Sequence, residues 1–270
     1  MKNINILFIV EGEKAEPRLI KQYFNSYRDL GLKDNFKIHS VKTNIYSLYN
    51  EIKKEDFFLN IKDILIQNSN DATQIEILKE DFLYTYLIFD CDAHNSQKHS
   101  NLSLRERVMQ NFSILQEMAD YFDDESDPTK GRLYINYPMI ESYRDCDDFF
   151  DNNYKDEVVS VDDLSNYKKL VGRKKLCNIK NLSNYTANDF NSLTKMNLFK
   201  LNMLLNNEWK SCDYYEYSKK SDCFNIVNNE KNYCDLNNSI FVLNTFLFWL
   251  VDYYGNRNGF YDKIIKEQNQ

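Results

Sequence analysis

Three carboxylate-bearing segments carry the chemistry this sequence has to offer. Glu11 opens Glu11-Gly12-Glu13 directly after an apolar run, Asp90-Cys91-Asp92 closes a second run, and Glu141 follows Pro138 after a third. Carboxylate oxygens suit Mg2+, which wants octahedral oxygen ligands, keeps several waters and commonly binds substrate phosphate as well. Where a chain leaves a strand through D-x-D, the two aspartates can point the same way and share one ion. A glutamate beside them can hold a second ion, or move a proton during attack on a phosphodiester. Glu11, Asp90 and Asp92 meet that requirement, and Glu13, Glu16 and Glu141 are the candidates to complete it. A lone D-x-D is also a common solvated turn. The order of these segments, all at strand ends, makes the combination more specific.

The elements that must position them are legible from periodicity. Residues Ile4 to Val10 form an almost continuous apolar run, the pattern of a strand buried on both faces. From Glu16-Pro17 the pattern turns helical through Leu19, Ile20, Tyr23, Phe24 and Tyr27, with Pro17 in a first turn that tolerates its missing N–H. Phe36 to Val41 alternates as a second strand, and a charged, helix-leaning region fills Ile45 to Asp81. Tyr84 to Phe89 is a third strand, Leu102 to Phe122 a helix, and Leu133 to Tyr137 a fourth strand. The acidic loop Asp123 to Pro128 separates these last two.

Alternation of apolar strands with helices implies an α/β fold with a parallel sheet flanked by helices. Functional groups in such sheets gather at the carboxyl ends of strands, where all three motifs fall. Beyond about Asp151 the strand signal fades. Leu182 to Asn206 reads as helix, and Ser239 to Tyr254 as a strongly apolar helix with Gly255 as its C-cap. The expected organisation is an α/β domain over 1–150 and a mostly helical C-terminal region over 151–270.

Composition narrows the function classes. The 270 residues are 43% hydrophobic and 28% charged, an ordinary globular mix, and only 6 Gly and 3 Pro argue against a turn-rich sandwich or barrel. The six cysteines include no C-x-x-C pair, which argues against a zinc ribbon. Ile240 to Val251, the longest apolar stretch, is too short to span a bilayer, and Met1 leads straight into a strand-like segment. A cytoplasmic protein with reduced thiols and no membrane partner is expected. The net charge of −7 argues weakly against a nucleic-acid partner, but acidity is concentrated in the first half with the carboxylate motifs.

Other features have two readings each. The densest basic cluster holds Lys168, Lys169, Arg173, Lys174 and Lys175. It is either a phosphate contact, alongside Lys14, or a solvated helix end. Tyr214, Tyr215 and Tyr217 beside Lys219 and Lys220 read first as packing and second as base-stacking residues. His94 and His99 are attractive as extra ligands but read first as exposed loop residues. Cys91 is expected to point into the core, and Phe246 and Trp249 to be core or, as second choice, a subunit interface.

The residues Ile6 to Gly12 followed by Leu87 to Asp92 resemble a Toprim domain. More narrowly, E-G-E-K-x-E-P at Glu11 to Pro17 and the proline-then-glutamate pair Pro138 and Glu141 resemble RloB-like and AbiL-type Toprim proteins, small defence-associated proteins often encoded beside an ATPase. The resemblance spans about residues 4–145. It implies that Glu11 is a general acid/base or metal ligand, Asp90 and Asp92 metal ligands, and Glu16 and Glu141 supporting acids around Mg2+ or Mn2+. It implies a nuclease, with RNA, tRNA included, favoured over DNA, acting in anti-phage defence under a partner ATPase, and a homo-oligomer is open. Two departures stand out: no lysine matches the basic residue of the overcoming-lysogenization-defect nucleases, and the Tyr46 to Asp81 insertion exceeds a minimal Toprim connection.

The competing readings are a non-catalytic Toprim-shaped binding or scaffold subunit and, lower, a HAD-type phosphatase with Asp90 as nucleophile. The latter normally carries its D-x-D near the N-terminus, whereas here a strand-loop-helix unit bearing Glu11 precedes it. A glycosyltransferase D-x-D gives no reason for the Glu11 segment.

Overall fold

The computed structural model describes residues 5–30, 32, 34–57, 59–94, 101–123 and 130–266. His99 and most of the acidic loop, residues 124–128, lie outside them. Four parallel strands form the central sheet: β1 (Asn5–Val10), β2 (Asn35–Ser40), β3 (Tyr84–Asp90) and β4 (Arg132–Asn136), in the order β2-β1-β3-β4. The expected α/β architecture is therefore present, with each strand within a residue or so of its expected range. The interior of β1 is wholly buried from Ile6 to Val10, as its unbroken apolar run requires.

Helix α1 (Ala15–Tyr27) joins β1 to β2 and lays Phe24 against Phe8 and Phe36. Pro17 is its third residue, where no intrahelical N–H bond is lost. The long β2–β3 connection is three short helices, α2 (Ile45–Lys54), α3 (Ile61–Asn68) and α4 (Ala72–Lys79). Each starts on its own side-chain cap, from Asn44, Asn60 and Asp71. Helix α5 (Leu104–Phe122) opens on a Ser103–Glu106 capping box and packs against α2. Right-handed crossovers place α2 and α5 on the face opposite α1.

The C-terminal region is mostly helical: α6 (Tyr167–Val171), α7 (Leu176–Ile179), α8 (Ala187–Asn206), α9 (Tyr214–Lys220), α10 (Cys223–Asn237), α11 (Trp249–Tyr254) and α12 (Phe260–Lys266). Helix α8 packs on α1, and α10 on α5. Two short strands, β5 (Val158–Ser160) and β6 (Ser239–Phe241), pair antiparallel there. Ser239 to Tyr254 is thus not the single helix expected from its apolarity. It is β6, a 3-10 turn over Thr245–Phe248 and then α11. The reason is that Leu243 exchanges backbone hydrogen bonds with Tyr137 just past β4, which holds this stretch extended.

One hydrophobic core runs through both regions. Trp249 is fully buried, its ring centroid 5.3 Å from Phe8, 5.1 Å from Phe24 and 5.7 Å from Tyr86. Phe246 is buried beside it. No described helix is long and apolar enough to cross a membrane.

Candidate active site at the carboxyl edge of the sheet

Strand β1 lies between β2 and β3, so the chain leaves the sheet in opposite directions on either side of the β1/β3 boundary. That crevice, beyond the carboxyl ends of the strands, is where open α/β sheets bind ligands. Glu11 is one residue past β1 and Asp90 ends β3. The Glu11 Oε2 accepts the Asp90 N–H at 3.2 Å, which fixes the two side by side.

Asp90 is buried, and its Oδ1 accepts the Ile140 N–H at 2.7 Å. That bond ties the end of β3 to the 3-10 turn Ile140–Arg144, which carries Glu141. Cys91 is buried, as expected, and its carbonyl accepts the Tyr46 hydroxyl from α2. Asp92 adopts a φ of 38° and donates its N–H to the Pro138 carbonyl at 3.1 Å. Left-handed backbone at a non-glycine residue is costly, and such strain concentrates at functional sites. Glu16, buried in the first turn of α1, accepts the Gly12 N–H at 3.2 Å. A Cβ on Gly12 would lie 2.9 Å from Glu16 Oε2, so the absence of a side chain there permits this close approach.

The five carboxylates Glu11, Glu16, Asp90, Asp92 and Glu141 therefore lie near enough to influence one another's ionisation. Burial, then Asp92 and Glu16, push Glu11 up to about 8, against the pull of the Asp90 N–H and Lys168. Burial and then Glu11, Asp92, Glu16 and Glu141 push Asp90 well above the usual carboxylate range. Glu16 is raised chiefly by burial. The Oε2 of Glu141 is buried with no hydrogen-bond partner. Ionised together, these groups would carry more negative charge than the pocket compensates, and Glu11 and Asp90 hold their protons instead.

Lys168, at the start of α6, is the cation that offsets it. Its Nζ lies 3.3 Å from Glu141 Oε1. Partial burial pulls the ammonium down, but Glu141, Asp90 and Asp92 outweigh that and hold it above its usual value. The basic cluster of the sequence is consequently split. Lys168 reaches the carboxylates, whereas Lys174 is held between Glu157 at 2.6 Å and Asp145 at 3.5 Å, and Lys175 lies 3.6 Å from Asp147. Lys14, Lys169 and Arg173 are exposed. Glu13 is exposed and paired with Lys42 at 2.8 Å. His94 lies two residues past Asp92 with its Nδ1 buried and unpartnered. Tyr217 is a core residue bonded to Asp252 at 2.8 Å, while Tyr215 is exposed under Lys219.

The donors fit a hard divalent cation in type and in uncompensated charge: oxygen ligands in excess, one of them a buried carboxylate oxygen without a donor. They are not gathered for it in advance. Among the described residues no three His, Cys, Asp or Glu side chains are grouped closely enough to hold a metal ion as they stand. Backbone N–H groups occupy an oxygen of Glu11, Glu16 and Asp90.

Two openings flank the cluster. A polar cleft of about 930 Å3 runs between the end of β2 and α2–α4, lined by His39, Lys42, Ser47, Asp71 and Gln74 among others. The Lys42 N–H donates to the Glu11 carbonyl at 3.0 Å, so the cleft borders the site. A smaller pocket of about 190 Å3 includes Glu141 in its wall, with Arg18, Arg144 and Lys180. These three basic residues escape a reading of the sequence, since no local pattern links positions 18, 144 and 180. No protein-family model, curated protein or solved structure matches this chain.

Proposed function

We propose that this protein is a Toprim-type, divalent-metal-dependent phosphodiesterase that cleaves nucleic acid. The observation that carries the reading is the convergence of Glu11, Asp90, Asp92 and Glu141 at the β1/β3 crevice with their charge under-compensated. Buried like charges cost stability, so their retention is best understood if a cation joins them. Asp90, Asp92 and the unpartnered Oε2 of Glu141 are the residues that would hold Mg2+ or Mn2+. When bound, the ion supplies positive charge to the phosphate under attack.

The chain's own residues do the rest. Glu11, raised to about 8, is in the range where a carboxyl both takes and gives a proton near neutral pH. Glu16 holds the Gly12 backbone close and thereby fixes the turn that carries Glu11. Lys168 sits where it can steady negative charge developing beside Glu141. We assign Lys168, a phosphate-contact candidate in the sequence, the part of the basic residue for which no lysine there was a match. The resemblance to defence-associated Toprim proteins favours RNA, tRNA included, over DNA as substrate and an ATPase as controlling partner.

One observation favours a second reading. Because backbone N–H groups already engage Glu11, Glu16 and Asp90, the cluster is also compatible with a non-catalytic binding subunit. Cleavage assays separate the two. Purified wild type, Glu11→Ala and Asp90→Ala are offered tRNA, other RNA and plasmid DNA with Mg2+ or Mn2+. Metal-dependent cleavage abolished in both variants supports the phosphodiesterase; cleavage indifferent to both variants refutes the site.

A further inference from the structure

The pocket of about 190 Å3 beside Glu141 is enclosed by the start of α1, the 3-10 turn Ile140–Arg144 and the segment Lys180–Tyr185. Three residues per turn place side chains at i and i+3 of a 3-10 helix above one another, so Glu141 and Arg144 share one side of that turn. Ala15 and Arg18, also three apart, face the pocket from α1.

The charges in this pocket are unevenly matched. Lys180 is neutralised by Asp189 at 2.5 Å. Neither Arg18 nor Arg144 has a carboxylate within ion-pair distance among the described residues. Arg144 lies 5.7 Å from the Tyr143 ring, and its Nε is buried without a hydrogen-bond partner. Both guanidinium groups lie close enough to the Tyr143 hydroxyl to offset part of what burial does to it. A half-buried guanidinium with an unmet N–H is a standing demand for an acceptor. The planar fork of arginine matches phosphate oxygens two at a time. The volume is below the roughly 300–1,000 Å3 of a small-molecule site, which suits one phosphodiester unit rather than a whole nucleotide.

We propose that Arg18 and Arg144 form a phosphate-binding subsite that holds the backbone phosphate adjoining the one cleaved at the carboxylate cluster. As to cleavage, this rests on the phosphodiesterase reading; as to phosphate binding, it stands on the pocket itself. The arrangement solves a problem the site poses. An acidic cluster repels a polyanion, and two unpaired arginines next to it restore attraction while keeping the strand in register.

Binding of a short fluorescein-labelled single-stranded RNA to the full chain, measured by anisotropy in EDTA across a salt series, tests this. Arg18→Gln and Arg144→Gln are each expected to weaken binding and to flatten the plot of log K against log salt, by about 0.7 for each phosphate no longer neutralised. Arg144→Lys should keep the salt slope but bind less tightly, because it preserves charge and not the fork. Lys79→Gln, a distant exposed lysine, controls for general charge. Thermal melts equal to wild type confirm that each variant is folded. Wild-type RNA binding that is undetectable, or slopes unchanged in both arginine variants, overturns the subsite. Flattened slopes with a wild type that cleaves nothing leave the subsite standing and remove the phosphodiesterase. Cleavage with unchanged slopes does the reverse.

Discussion

The Glu11 carboxylate accepts the backbone N–H of Asp90, a residue 79 positions away, at 3.2 Å. That single bond crosses the boundary between β1 and β3 just beyond the last paired residues of the ladder. It fixes the acid that follows the first strand against the acid that ends the third. Around this pair lie Asp92, Glu16 and Glu141; burial first and then Asp92 and Glu16 raise the proton affinity of Glu11 against the pull of that same N–H, and Lys168 is the cation beside them.

The first consequence is a pH dependence of stability without metal. Glu11 binds its proton up to about 8 in the folded protein, against 4.5 as its ordinary value. Between those values the folded state holds a proton the unfolded chain has released, so stability falls as pH rises and levels off above about 8. Asp123 and Asp145, raised by burial to about 6, contribute the same sign at lower pH, and Asp90 and Glu230, which burial raises well above the carboxylate range, also contribute it. Lys200, lowered by burial to about 7, acts with the opposite sign above that value, so the Glu11 share is the difference between wild type and a Glu11 variant. Melting temperatures in EDTA should fall more, or rise less, from about pH 5 to 8 in wild type than in Glu11→Gln. Mg2+ should restore stability at pH 8 and do little at pH 5, because a cation and a proton compete for the same oxygens. Parallel profiles in wild type and Glu11→Gln count against this account.

Asp90→Asn should separate stability from activity. The amide keeps an acceptor for the Ile140 N–H and discards a buried charge crowded by four other carboxylates. The metal-free fold should gain about 1–2 kcal/mol, a rise of roughly 2–8 °C in Tm. Cleavage should fall at least about 100-fold. Differential scanning calorimetry and the cleavage assay read the two effects; a destabilised variant that still cleaves contradicts the assignment.

Gly12→Ala should damage the site more than the fold. The new Cβ would meet Glu16 Oε2 at 2.9 Å and Oε1 at 3.3 Å, and the movable carboxylate rather than the backbone would yield. The stability cost should stay within about 1 kcal/mol, while displacement of Glu16 and its turn should reduce cleavage by roughly 10- to 100-fold. Equal activity in the variant would show that the close approach of Gly12 and Glu16 does not position Glu11.

The two regions should not fold independently. Trp249 fills the space over Phe8, Phe24 and Tyr86, so Trp249→Ala should cost about 3–5 kcal/mol. A chain ending at Phe150 should lack the near-ultraviolet dichroism of a fixed core. A cooperative melt from residues 1–150 alone would argue for a separable domain.

What the sequence determined by itself is the sheet and the acids at its edge. Strands buried on both faces must be almost wholly apolar, so Ile6–Val10 and Tyr86–Phe89 announce themselves, and a carboxylate directly after each is conspicuous. The helical caps of the long β2–β3 connection are likewise local, written in Asn44, Asn60 and Asp71. The tertiary structure alone decided the strand order that brings Glu11 beside Asp90, and the approach of Lys168 to Glu141 across 27 residues. It also drew Lys174 in between two carboxylates and gathered Arg18, Arg144 and Lys180 around one pocket. Ser239 to Tyr254 shows the limit most plainly. A continuously apolar run has no period to distinguish strand from helix, and a backbone pairing between Leu243 and Tyr137 made the choice. Local patterns fix which residues must be buried, but which charges meet depends on chain crossings that leave no mark in the neighbouring sequence.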